Sequence, residues 1–397
     1  MVYINRSLES SFLKHYELYK VVAVLGPRQT GKTTFLNNEL KKIKNANSIS
    51  LDDPDAKFLF NDDIKLFEKQ YCSGFDLTFI DEIQYGKDVG QKIKYLADKG
   101  YKLFLSSSSE VLASKEVLSY LVGRASILRL FQFSLSEILE AENIKVKTNK
   151  IIERAIFDQC IYGTYPKVFI TNDIKEKRIV LRNLYETMLY KDVSNNFGIN
   201  DTTNLEKFVK YLSIYCSKII SYDNISRDLG LAHETIKKYL NALEKSYFIC
   251  QVLPFYTNKL KEITKQPKIY FYDLGLRNAI LLDYPINLDT QGFLFENYIF
   301  SELKKQGYTP KYWRSKTKQE VDFIIENGKT IIPIEVKLSC NSQIIESSLK
   351  SFIDIYKPKK AYVVYYKGKT NKIKQNGCEV FFLNTFELLE ELKSIGN

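Results

Sequence analysis

A multidomain α/β chain follows from three features of this sequence. The apolar run Val21–Leu25 ends at a glycine-rich stretch that opens a helical pattern. A helix–turn–helix pattern occupies the middle, and two β-rich runs meet at Asn327-Gly328. The length, 397 residues, predicts two or three domains. We place them at 1–149, 150–285 and 286–397.

Composition narrows the class. The chain is 45% apolar and 26% charged, a globular balance with enough material for cores. A run of about 18 apolar residues, the length needed for a spanning helix, is missing, so no membrane partner is expected. The start, MVYINRSLES, lacks a charged head followed by an apolar core, which argues against an export signal. Cys72, Cys160, Cys216, Cys250, Cys340 and Cys378 lie far apart, and His15 and His233 are the two histidines. This spacing argues against a zinc site or a disulfide framework and predicts free thiols in a reducing cytoplasm. The net charge of +11 and pI near 9.0 suit a polyanionic partner, although surplus lysine also makes an ordinary solvated surface.

The first domain is the most explicit. Val21–Leu25 reads as a buried parallel strand. Gly26-Pro27-Arg28-Gln29-Thr30-Gly31-Lys32-Thr33-Thr34 follows, then a helical stretch through Leu40. This is GxxxxGKT in strand–loop–helix context, a phosphate-binding loop. Its glycines let backbone N–H groups close around phosphate oxygens at the positive end of the helix. Lys32 is expected at the β- and γ-phosphates of ATP, and the Thr33 hydroxyl on Mg²⁺. About fifty residues on, the strand pattern Phe75–Ile80 ends in Asp81-Glu82. There Asp81 is expected to orient the Mg²⁺ water shell and Glu82 to polarise the attacking water. Lys102–Leu105 reads as another buried strand, ending in Ser106–Ser109. Ser106 or Ser108 is placed to sense the γ-phosphate, and the same serines also suit a helix cap. Arg124, in Leu121-Val122-Gly123-Arg124, is a candidate cation for transition-state charge, in its own subunit or a neighbour; a local surface ion pair is the other reading.

GPRQTGKTT, FIDEIQ, the serine-rich strand end, LVGR and Phe133-Ser134-Leu135-Ser136-Glu137 together resemble the prokaryotic AAA+ ATPases that carry a C-terminal domain of unknown function. The resemblance continues through Tyr165-Pro166, Leu189-Tyr190-Lys191-Asp192 and the stretch Pro267–Leu276. It implies a P-loop NTPase parallel sheet flanked by helices, ATP and Mg²⁺ as cofactors, and relatives that often assemble as homo-oligomeric rings. One departure is the run of four serines at 106–109, where the family usually shows Thr-Gly-Ser-Ser.

From about Lys150 to Phe197 the pattern is mostly helical and suits a lid or linker. Ile225, Leu229, Ile236, Leu240 and Leu243 then recur at helical spacing, with Gly230 marking a turn between two helices. This predicts a helix–turn–helix with His233–Lys245 as recognition helix and Tyr247–Phe255 as a wing. His233, Thr235, Lys237, Lys238 and Asn241 are types able to touch phosphates and base edges. Winged helices also serve as protein–protein modules.

Asn327-Gly328 predicts a two-residue hairpin turn with Glu326 opposite Lys329, Asp322 opposite Pro333 and Glu320 opposite Glu335. One face then carries Glu320, Asp322, Ile324, Ile331, Pro333, Glu335 and Lys337; the other carries Val321, Phe323, Ile325, Ile332, Ile334, Val336 and Leu338. Clustered acids repel, by about 4 kcal/mol for a pair about 4 Å apart at an effective dielectric of 20, so a divalent cation or raised pKa values must relieve them. Because Pro333 cannot donate to the ladder, a bulge between Pro333 and Glu335 is a further expectation. Asp322, Glu335 and Lys337, with Glu296 upstream, resemble the PD-(D/E)xK pattern of the restriction-endonuclease-like α/β fold. That resemblance implies Asp322 and Glu335 as metal ligands, Lys337 as the steadying cation and Glu296 as metal support; Val321 stands where the pattern has proline. Trp313, Tyr356, Tyr365 and Tyr366, interleaved with Arg314, Lys316, Lys318, Lys357, Lys359, Lys360, Lys367, Lys369, Lys372 and Lys374, suit phosphate contact and base stacking, and an ordinary solvated face is the other reading. The sequence therefore predicts a cytoplasmic ATPase coupled to a DNA-binding, nuclease-like C-terminal half. The alternative is an ATP-dependent switch or adaptor whose C-terminal half binds DNA or protein without cutting.

Overall fold

A computed structural model describes residues 3–110, 115–284, 287–288, 290–328, 330–340 and 344–396. They fall into two compact units, Met1–Phe133 with Lys245–Tyr247, and Ser134–Glu244 with Phe248–Asn397.

In the first unit, the described residues form one parallel sheet of β1 (Val21–Leu25), β2 (Ala46–Ser50), β3 (Leu77–Asp81), β4 (Leu103–Ser107) and β5 (Ala125–Arg129), in the order β2-β3-β4-β1-β5. All five residues of β1 are buried, as expected for a strand covered on both faces. Alternation divides them: Val21, Ala23 and Leu25 join Ile80, Leu103 and Leu105 under Phe60 and Ile93, while Val22 and Val24 join Phe79 and Phe104 under Phe12 and Phe35. Because the strands are parallel, the C-terminal ends of β1, β3 and β4 emerge on one edge. Gly26, Asp81 and Ser106 lie there.

The second unit begins with the helix Leu135–Ala141, whose Ser134 and Glu137 form a reciprocal capping box. The helices Asn149–Tyr162, Ile174–Thr187 and Thr202–Ile214 follow. Gly163, at φ 70°, leaves no room for a side chain: a Cβ there would lie 2.0 Å from Asp273 Oδ1. Asp273 instead accepts the Thr164 and Leu276 N–H groups at 2.7 and 3.0 Å, joining the loop after one helix to the start of another. The helices Tyr222–Leu229 and His233–Lys245 meet at Gly230, φ 69°, with Ile225, Ile236, Leu240 and Leu243 buried. Behind them β6 (Lys218–Ile219), β7 (Ile249–Val252) and β8 (Lys268–Phe271) form an antiparallel sheet in the order β6-β8-β7.

The C-terminal part is a mixed sheet of β9 (Lys311–Arg314), β10 (Glu320–Asn327), β11 (Thr330–Cys340), β12 (Lys360–Gly368), β13 (Asn371–Gln375) and β14 (Cys378–Asn384), ordered β13-β14-β12-β11-β10-β9. Helices cover both faces, Gly292–Lys305 on one and Ser347–Tyr356 on the other. The hairpin register differs from the expectation by two residues. Asn327 faces Thr330, Ile324 faces Pro333 and Phe323 faces Ile334, because the turn centres one residue later, with Gly328 at φ 60°. Lys329, expected opposite Glu326, lies outside the described residues. Asp322 is therefore directed toward Glu335 and away from Pro333. The β10–β11 ladder runs evenly through Pro333, and the irregularity lies instead between β9 and β10, between Val321 and Ile324. It turns Val321 to the side of Ile324, Trp313 and Phe352, away from Phe323 and Ile325, where alternation had put it.

Candidate nucleotide site and carboxylate cluster

The phosphate loop is fixed from beneath. Gly26 has φ 151°, and a Cβ there would lie 2.1 Å from the Leu130 carbonyl oxygen, so glycine is required where the loop leaves β1. Gly31, at φ 90°, precedes the helix Lys32–Leu40. Thr30 is fully buried and donates to the carbonyls of Pro27 and Leu130 at 3.0 and 3.1 Å, so its hydroxyl shapes the loop. Arg6, which the sequence reading did not single out, donates to the carbonyls of Thr30 at 2.9 Å and Phe131 at 2.6 Å, tying the loop to the end of β5. Lys32 Nζ donates to the Gly26 and Pro27 carbonyls at 2.9 and 2.7 Å. Arg28 donates to the Tyr85 hydroxyl at 3.3 Å, while Gln29 (φ 59°) and Thr34 are exposed.

The acids meet the loop. Thr33 Oγ1 lies 2.9 Å from Asp81 Oδ2, the pair that the motif assigns to Mg²⁺. An exposed hydroxyl beside a strand-end carboxylate suits a hard, oxygen-seeking cation. Ser106 donates to Asp81 Oδ1 and accepts the Glu82 N–H at 3.0 Å. Glu82 has φ 53°, unusual for a non-glycine residue and frequent at functional sites. Gln84, absent from the expected set, donates to both Glu82 Oε2 and Ser108 Oγ, the latter at 3.0 Å. Thr33, Asp81, Glu82, Ser106 and Ser108 thus form one hydrogen-bonded group. The only sequence signal for Gln84 is its place in FIDEIQ.

Arg124 stands elsewhere. Its carbonyl accepts the Val21 N–H, at the start of β1 and the opposite edge of the sheet from Gly26. Its guanidinium pairs with Asp98 at 2.5 Å. Action on a phosphate in its own chain is thereby corrected: five strand residues at about 3.3 Å each separate the two edges.

The second unit gathers the C-terminal candidates. Asp322 Oδ2 accepts the Val336 N–H at 2.8 Å. Glu335, 4% exposed, pairs with Lys337 at 2.9 Å through Oε1, while its buried Oε2 has no hydrogen-bond partner among the described residues. Lys337 also reaches Glu346 at 2.8 Å. Glu296, from the helix Gly292–Lys305, meets Lys268 Nζ at 3.0 Å and the Tyr270 hydroxyl at 2.5 Å. Lys268 also pairs with Glu320 at 2.5 Å. Its sequence signal was a charged residue opening the apolar strand Lys268–Phe271.

Electrostatics follow the burial. Burial, with Asp322 beside it, pushes Glu335 up to about 8 against the pull of Lys337. Glu296 is pushed up to about 7 by burial, which outweighs Lys268. Burial likewise raises Asp322. Lys268 loses solvation, yet Glu296, Asp322 and Glu320 hold its pKa above the ordinary lysine range. The orphaned Glu335 oxygen beside Asp322 fits a hard cation. Glu296 does not, since its charge and Oε1 are engaged. Among the described residues no group of three or more His, Cys, Asp or Glu side chains is placed to hold a metal ion.

Of the other candidates, His233, Lys237, Lys238 and Asn241 are exposed and Thr235 is partly so. Lys238 is tethered to the Gly198 carbonyl at 2.9 Å. Base stacking on Trp313, Tyr365 and Tyr366 is corrected, since all three are buried, Trp313 against Phe352. Lys357, Lys367, Lys369, Lys372 and Lys374 remain exposed. Among the described residues, no helix is long and apolar enough to cross a membrane.

Residues 18–139 match an AAA domain, 153–288 a domain of unknown function (DUF8612) and 291–386 another (DUF4143). An uncharacterized protein of Methanocaldococcus jannaschii is 25% identical over 370 residues, covering 88% of this chain and 80% of its own length. One of Haemophilus influenzae is 23% identical over 341 residues, covering 81% and 83%. Among solved structures, the Walker-type ATPase PABY2304 of Pyrococcus abyssi overlays with a TM-score of 0.45 at 14% identity, covering 70% of this chain and 96% of its own. Residues 18–139 thus resemble AAA domains and carry the phosphate loop and parallel sheet described above, while residues 153–288 and 291–386 match two domains of unknown function.

Proposed function

We propose that this chain hydrolyses ATP and couples the nucleotide state to DNA binding or processing through its C-terminal half. The observation that carries the first part is the linked set Thr33–Asp81–Ser106 and Glu82–Gln84–Ser108. It supports Thr33 and Asp81 as the metal-binding pair, Glu82 as the general base and Ser106 and Ser108 as hydroxyls beside them at the end of the phosphate loop. In this reading Lys32 binds the β- and γ-phosphates and Glu82 takes the proton of the attacking water. Thr33 and Asp81 would hold Mg²⁺, which when bound neutralises phosphate charge. Arg124 serves a neighbouring copy in a homo-oligomer. The helix His233–Lys245 acts as the recognition helix of a winged-helix domain, roughly 150–285, and residues 286–397 act as a nuclease-like domain.

The net charge of +11 and the exposed lysines support DNA as the partner. Asp322 and Glu335 would hold a divalent ion, with Lys337 as the charge-steadying group. The second reading, an ATP-dependent switch that binds without cutting, is favoured by the engagement of Glu296 with Lys268 and Tyr270. ATP turnover and cleavage of linear, branched and supercoiled DNA with Mg²⁺ or Mn²⁺ test both. Lys32→Ala should lower turnover by on the order of 100-fold or more. Loss of cleavage in Asp322→Ala supports processing, and turnover without any cleavage supports the switch. Absence of ATP binding by the parent protein would sink both.

A further inference from the structure

The carboxylate cluster contains a lysine for which the nuclease-like pattern has no use. Lys268 opens β8 and is 3% exposed. Its ammonium lies between Glu296 and Glu320, 3.0 and 2.5 Å away. Both carboxylates have further donors, Tyr270 on Glu296 at 2.5 Å and Arg314 near Glu320 at 3.7 Å. Asp322 and Glu335 are held differently, by a backbone N–H and by Lys337, with one buried Glu335 oxygen lacking a hydrogen-bond partner among the described residues. The four acids therefore divide into Glu296 and Glu320, which share one buried ammonium, and Asp322 and Glu335, of which Glu335 pairs with Lys337 through one oxygen and keeps the other without a hydrogen bond among the described residues.

A buried ammonium with two carboxylates in contact stays charged and in place, since losing either partner would leave an uncompensated ion away from water. A divalent ion bound at Glu296 would have to sit against that ammonium, like charge on like charge. We propose that Lys268 is the resident counter-cation of Glu296 and Glu320, that it takes both out of metal binding, and that it leaves Asp322 and Glu335 as the pair open to an external divalent ion. The last clause rests on the proposed reading of those two residues; the assignment of Lys268 does not. Because Lys268 and Tyr270 belong to the sheet behind the helix pair, the same contact joins β8 to the helix Gly292–Lys305 and to β10.

The test counts Mn²⁺ bound per chain by electron paramagnetic resonance and measures affinity by calorimetry. It uses nucleotide-free, full-length protein carrying Asp81→Asn in every arm, so that the phosphate-loop site contributes no metal. Lys268→Met should add one bound Mn²⁺ or tighten binding roughly tenfold, and adding Glu296→Gln should reverse the gain. Glu296→Gln alone should leave the parent's Mn²⁺ affinity within about twofold, whereas loss of a true ligand costs about 10–100-fold. Equal Mn²⁺ binding by Lys268→Met and parent, or weakened binding in Glu296→Gln alone, would overturn the assignment. If Lys268→Met does not fold, the Glu296→Gln arm decides, since it keeps Lys268 paired with Glu320. Asp322→Asn addresses the other reading separately: an unchanged Mn²⁺ signal there would sink the Asp322–Glu335 pair while the Lys268 arms still decide Lys268.

Discussion

The proposed hydrolysis turns on a single residue, Glu82. Its backbone occupies the left-handed region at φ 53°, its N–H is held by Ser106 and its carboxylate by Gln84. Glu82→Gln should lower kcat for ATP by on the order of 10²–10³-fold and leave ATP affinity within about twofold, because it removes the proposed base and keeps the shape. Gln84→Ala should lower kcat by about tenfold at unchanged KM, since it loosens the orientation of the base. Steady-state turnover with parallel binding measurements separates the two. Glu335 carries a pH signature. With a chelator present, its pKa of about 8 in the fold stands above the ordinary carboxylate value, so the folded state holds more protons than the unfolded one. The contribution is full in acid and is lost as pH rises toward about 8. Stability should fall across that window by up to about 1.4 kcal/mol per pH unit, read as falling thermal midpoints, and Glu335→Gln should flatten the slope.

Elements follow from local chemistry wherever one pattern suffices. Val21–Leu25 forms as a buried strand, and the helices Tyr222–Leu229 and His233–Lys245 break at Gly230 as their apolar spacing dictates. The C-terminal hairpin formed with the right two strands and the wrong register. Asn-Gly specifies a turn, but the choice of its two central residues depends on what covers each face of the sheet. A close joint between elements is Gly163 against Asp273. Gly163→Ala would place a methyl group 2.0 Å from Oδ1 at φ 70°, so it should destabilise the fold by at least about 3 kcal/mol in denaturant melts. Gly230→Ala has the same positive φ but nothing within 4 Å, and should cost only about 1 kcal/mol. A smaller loss at 163 than at 230 would refute this account.

At the scale of the whole molecule, the charge of +11 and the placement of Arg124 both look outward. Arg124 sits at the edge of its sheet opposite the phosphate loop, so its proposed role requires another copy. Lys32→Ala and Arg124→Ala, each impaired alone, should regain ATP turnover on mixing, because some interfaces then pair an intact phosphate loop with an intact arginine. Mixtures no better than the sum of their parts would confine Arg124 to its ion pair with Asp98.

The sequence by itself determined the phosphate loop, the acids at 81 and 82 and the helix pair around Gly230, because each is written within a short stretch whose spacing carries its own physical meaning. It also supplied the carboxylates of the C-terminal cluster, but not their partners. Only the tertiary structure brought Lys268 between Glu296 and Glu320, set Gln84 between Glu82 and Ser108, and turned Trp313, Tyr365 and Tyr366 into the core. Those outcomes depend on which elements pack face to face across tens of residues. A buried ion or ring takes its character from whatever surrounds it, and that is fixed only when the chain has folded.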